Sequence, residues 1–216
     1  IEVCEAARLP DQLFGGMLGY RWNRDHFEVA FRTLNRFCCQ IMLQEDPAHA
    51  RNAWASLLIM VHSAWGLARR IGHERIALAA ALTWVTAWRS SMNIRYTTID
   101  PNHLPEKNDL PLEEALGTSA RAAAGSAWHA RSDRHSRIRR LLASSAAIRN
   151  DQQLNLYVLA WLESCRMDPS AAPLYLSSAA YLLALWLPDA PRAQIAEHLA
   201  VGRRTPLTPP KRAEEE

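Results

Sequence analysis

The chain has 216 residues, 49% of them apolar and 22% charged, which is the balance of a globular domain with one sizeable core. A net charge of +3 is too small to mark a nucleic-acid binder, and no apolar run reaches the roughly 18–20 residues of a membrane span, so the chain reads as soluble and cytoplasmic. Scarce glycine, 8 residues, beside abundant alanine and leucine favours helix over a sheet of short strands.

Residues 1–22 form a mixed segment with a turn signal at Gly15-Gly16. From about Arg24 to Gln44, the residues Phe27, Phe31, Leu34, Cys38 and Ile41 step by four and three, one face of a helical period. Asn23 is placed to cap this helix. Asp46-Pro47 ends it and starts a second helix reaching Ile71, with Trp54, Leu57, Leu58, Val61, Trp65 and Ala68 on its core stripe and Gly72 as its stop. Glu74 to about Met92 is apolar nearly all round, which predicts a helix at the centre of a bundle.

Between Thr97 and Pro111 the periodicity fails, and Pro101, Pro105 and Pro111 punctuate a loop that is either a linker or functional. Helices are predicted again at Leu112–Ala130, Arg134–Arg149, Gln152–Arg166 with Asp151 as cap, Pro169–Leu187 opened by Asp168-Pro169, and Pro191–Val201. Arg203–Glu216 is proline-rich and charged and reads as a disordered tail. The predicted fold class is all-α: a single-domain bundle of about eight helices over residues 23–202, with the tail at 203–216.

Cys4, Cys38, Cys39 and Cys165 show no CxxC spacing, and neighbouring cysteines rarely pair, so they read as reduced, buried thiols. No metal site is predicted: the Glu-x-x-His pairs of a di-iron bundle are absent, and Asp25, His26, Glu28, Glu45 and His49 read as caps and solvated faces. The motifs GxGxxG, GxxxxGK[ST] and GxSxG are also absent, which disfavours nucleotide-fold enzymes and classical hydrolases.

Three sets of residues remain as candidates. His62 lies beside the core stripe of its helix, either hydrogen-bonded across the bundle or facing a cavity as a catalytic proton donor or acceptor. Of the eight tryptophans, Trp65, Trp84, Trp88 and Trp161 are placed either to fill the core or to wall a pocket for a flat aromatic ligand. Arg134, Arg137 and Arg140 line one helix face, solvated or in contact with a phosphate or a partner.

Two stretches carry a family resemblance. Leu57-Leu58-Ile59-Met60-Val61-His62-Ser63-Ala64-Trp65 is followed by Ala79-Ala80-Ala81-Leu82-Thr83-Trp84. Further on, Arg149-Asn150-Asp151-Gln152-Gln153-Leu154-Asn155-Leu156 precedes Ala160-Trp161-Leu162-Glu163 and Tyr175-Leu176-Ser177-Ser178-Ala179-Ala180. In their order these segments, over about Ala50 to Trp186, resemble the C-terminal half of the questin oxidase-like family. Gln153 and Asn155 stand where the resemblance expects a histidine and a lysine. The resemblance implies an all-helical oxidoreductase that opens rings of polycyclic aromatic substrates such as anthraquinones, with NADPH as cofactor and oxygen consumed.

Two functions follow from these readings. One is an oxidoreductase-like protein with His62 as proton handler and Trp65, Trp84, Trp88 and Trp161 as pocket walls. The other is a non-catalytic helical interaction module that docks a protein, or less readily a nucleic acid, through its arginine face or an exposed apolar face.

Overall fold

Asn23 does cap the first helix, its side-chain oxygen accepting from the backbone N–H of His26 at 3.0 Å. The computed structural model describes residues 22–44, 55–91, 99–100, 102–148 and 151–186. It is 84% helical there, with eight α-helices and no strand among the described residues. They are α1 (Arg24–Gln44), α2 (Ala55–Ile71), α3 (Glu74–Ser91), α4 (Leu112–Thr118), α5 (Ala120–Trp128), α6 (His135–Ile148), α7 (Gln152–Met167) and α8 (Ala172–Trp186). The Gly15-Gly16 turn, Cys4, the Asp46-Pro47 start, Trp54, the predicted helix Pro191–Val201 and the tail lie outside the described residues.

The predicted apolar stripes are the buried ones. Phe27, Phe31, Leu34, Cys38 and Ile41 of α1 are all buried, as are Leu57, Leu58, Val61, Trp65 and Ala68 of α2. Gly72 ends α2 with φ of 71°, a left-handed conformation that favours glycine. Asp151 caps α7 by accepting from Leu154 N–H at 3.1 Å.

Two expectations need correction. The stretch Leu112–Ala130 is not one helix: Ser119 is extended, with φ of −164° and ψ of 160°, and its hydroxyl accepts from Ala122 N–H to start α5 afresh. The centre of the bundle is α8, not α3. Every residue from Leu174 to Leu183 is buried, because α8 packs against α1, α5, α6 and α7 at once. Helix α3 packs chiefly on α2 and α1 and leaves Ile76 exposed. Each fully buried leucine of α8 contributes about 1.5–3 kcal/mol, so its ring of partners is a large share of the fold's stability. No described helix is long and apolar enough to cross a membrane.

Candidate functional site

His62 sits half-buried on α2 beside α7, its Nδ1 3.4 Å from Ser164 Oγ. Ser164 donates to the Ala160 carbonyl at 2.8 Å and accepts from Asn35 Nδ2 at 3.0 Å. With the hydroxyl proton already used, the imidazole is the donor in this long, weak contact, which puts its proton on Nδ1. Burial lowers the pKa of His62 and the nearby Glu163 opposes that; burial prevails, so the neutral ring is favoured.

The four candidate tryptophans are dispersed. Trp65 is 1% exposed and stacks on Phe31 of α1, ring centroids 6.2 Å apart and planes 3° apart. Trp161 is equally buried and donates its indole N–H to Cys39 Sγ at 3.4 Å. Trp84 and Trp88, one turn apart on α3, stack on each other at 5.7 Å and stay half-buried. Neither ligand-sized pocket described below is lined by any of the four or by His62. Trp65 borders a crevice of about 10 Å³, room for about one water.

The described cysteines, Cys38, Cys39 and Cys165, are free and buried. Burial pushes the thiols of Cys39 and Cys165 up to about 12 and that of Cys38 further, so all three are protonated and unreactive at neutral pH. Among the described residues, no group of three or more histidine, cysteine, aspartate or glutamate side chains could hold a metal.

The loop before α4 is a pinned strap. Gln44 holds its start through paired hydrogen bonds with the backbone of Asp100, at 2.9 and 2.8 Å. Further on, Asn108 Nδ2 donates to the Ala122 carbonyl at 2.8 Å, and Ser126 Oγ lies within 2.8 Å of Asn108 Oδ1 and 2.7 Å of the Leu110 carbonyl. His129 Nε2 donates to the Pro105 carbonyl at 2.9 Å. The strap crosses α5 at Gly125, where a Cβ would lie 2.1 Å from the Glu106 carbonyl oxygen; only glycine admits this approach.

Clefts open on both sides of the strap. One, about 290 Å³, is bordered by His103, Glu106, Arg121 and Tyr181. The larger, about 400 Å³, lies between the strap, α5 and the start of α6. Leu110, Leu112, Ile138 and Leu141 give it apolar walls, and Lys107, Arg134 and Arg137 bring positive charge to it. Arg134 and Arg137 of the predicted arginine face are thus in this cleft, whereas Arg140 is exposed and does not line it. Arg137 reaches Glu113 at 3.4 Å. Lys107 was not among the predicted residues, because nothing in a proline-punctuated loop announces which helix it will cross.

Apolar side chains also surface away from the cleft. Leu156 and Leu159 on α7 are 53% and 58% exposed, and Leu67 and Ile71, one turn apart on α2, are about equally so. Comparison with family models, curated proteins and solved structures finds no match to this chain.

Proposed function

We propose that this protein is a non-catalytic helical interaction module that docks a protein partner through the cleft between the strap and α6. One observation carries the reading: Lys107, Arg134 and Arg137 converge on a cleft of about 400 Å³ with apolar walls, the pairing of charge and greasy floor that partner pockets use. The strap is already fixed by side-chain hydrogen bonds, so docking orders little of the protein. Affinity capture from the source cell's extract tests it with three baits: the wild type, the double variant Arg134→Glu/Arg137→Glu, and Arg69→Glu/Arg70→Glu as a charge-matched control on exposed α2 surface. A partner kept by the wild type and the control and lost by the double variant is the expected outcome. A partner retained by all three removes the cleft as the docking site.

A second reading keeps the resemblance to the questin oxidase-like family: an oxidoreductase acting on a polycyclic aromatic molecule with NADPH. It draws support from the half-buried Trp84–Trp88 stack and from a histidine held neutral at His62. Titrating tryptophan fluorescence with an anthraquinone tests it, and absence of quenching beyond the inner-filter effect counts against it.

A further inference from the structure

Resting on the docking reading above, we propose that the cleft seats one carboxylate side chain of the partner, flanked in sequence by apolar residues, and that Glu113 is the internal competitor this carboxylate displaces from Arg137. The charge balance of the lining selects the ligand. Lys107, Arg134 and Arg137 face Asp109 and Glu113, which leaves one positive charge in surplus. The one imidazole in the lining, His129, already donates to the Pro105 carbonyl. A phosphate, carrying close to two negative charges, meets two carboxylates in the same cleft, and like charges brought together at a partly desolvated site exclude that partner. A single carboxylate matches the surplus and fits the flat fork of an arginine.

The cations are available for it. Lys107 and Arg134 have no ion-pair partner among the described residues. Arg137 touches Glu113 through one nitrogen at 3.4 Å, and its side chain is 67% exposed. A pair so solvated stabilises little and yields to a better-placed anion. Leu112 and Ile138 are buried at the cleft floor, and Leu110 and Leu141 are half-buried beside them. An apolar side chain next to the incoming carboxylate covers these side chains and excludes the water that screens the charges.

The test is an NMR titration of the full chain with three blocked pentapeptides, each with two leucines around a central residue: glutamate, glutamine or phosphoserine. The glutamate peptide is expected to shift the amides of Lys107, Leu110, Ser126 and Ile138 and to bind roughly fivefold more tightly than the glutamine peptide. Glu113→Gln, which removes the competitor, should tighten the glutamate peptide by roughly two- to threefold, while Arg134→Ala should weaken it by a similar factor. Tighter binding of the phosphoserine peptide, or weaker glutamate-peptide binding by Glu113→Gln, overturns the assignment. So does an absence of shifts at the cleft with every peptide. If no peptide binds but the Arg134→Glu/Arg137→Glu variant still loses its partner, the carboxylate assignment fails and the docking reading stands. If the double variant keeps its partner, the docking reading itself fails.

Discussion

Arg36 and Arg137 each meet a carboxylate from another part of the chain, and the contrast between the two pairs shows how one interaction type is put to two uses. Arg36 grips Asp168 with two hydrogen bonds of 2.7 Å, and the carboxylate also receives Tyr175 at 3.0 Å and Ser170 at 2.8 Å. The Asp168 side chain is only 2% exposed. Arg137 meets Glu113 through one nitrogen at 3.4 Å, and the arginine side chain is largely in solvent while Glu113 is half-buried. A bidentate pair with a desolvated carboxylate and every lone pair occupied joins α1 to the α7–α8 corner. A solvated contact through one guanidinium nitrogen leaves Arg137 open to a competitor.

The largest effect expected from this difference is on stability. Arg36→Ala leaves Asp168 buried without its cation and should cost about 3 kcal/mol in urea unfolding at neutral pH, whereas Arg137→Ala should change stability by less than about 0.5 kcal/mol. Equal losses from the two variants would erase the distinction. Gly125→Ala comes next, at about 1–3 kcal/mol, because the new methyl drives into the Glu106 carbonyl and lifts the strap. The side-chain amide signal of Asn108 should move with it; an unmoved signal at full stability would show that the strap is not seated there.

Acid pH sharpens the comparison further. Burial alone raises the Asp168 pKa, but the hydrogen bonds from Arg36, Ser170 and Tyr175 outweigh it and hold the group below the ordinary aspartate value. A depressed folded-state value means that its contribution is complete above the unfolded value of about 3.9 and is lost as pH falls through the folded one. Stability measured down the pH scale should therefore fall more steeply for the wild type than for Arg36→Ala. The smallest effect is at His62. Its folded-state value is also lowered, so protonation favours the unfolded chain, and stability drains as pH falls below about 6.5 toward the folded value. His62→Gln should flatten the profile in that window, and an unchanged slope would mean that the ring is solvated.

Much of the fold was legible because it is written in local signals. Asn23, Gly72 and Asp151 each act within three or four residues of themselves, and the apolar steps of α1 and α2 repeat every turn. Asp168 shows where such signals stop. It stands at the start predicted from Asp168-Pro169, yet it makes no side-chain cap, because its carboxylate is held by an arginine 132 residues away. The break at Ser119 was weakly signalled by Gly117-Thr118-Ser119, and an alanine-rich run masked it. For the candidate site, the arginine spacing at and just before the start of α6 identified two of the cleft's cations but not which of the three would turn away. The one local hint of the strap was Gly125, a glycine in a helix of alanines, which faces Glu106 and Asn108 of the loop. Trp65 and Trp161 read as possible pocket walls because their partners, Phe31 and Cys39, come from a distant helix.

The strap also bears on the order in which the chain folds. Its hydrogen bonds to α5 close loops of only 14 to 24 residues, whereas Arg36 and Asp168 are 132 residues apart. Loop-closure entropy grows with separation, and contacts of low sequence separation form first. The part of the strap at α5 is therefore expected to assemble early, which φ-values near 1 at Asn108 and Ser126 would show. The Arg36–Asp168 clasp is then among the last contacts to close, so loss of that clasp should register mainly as faster unfolding.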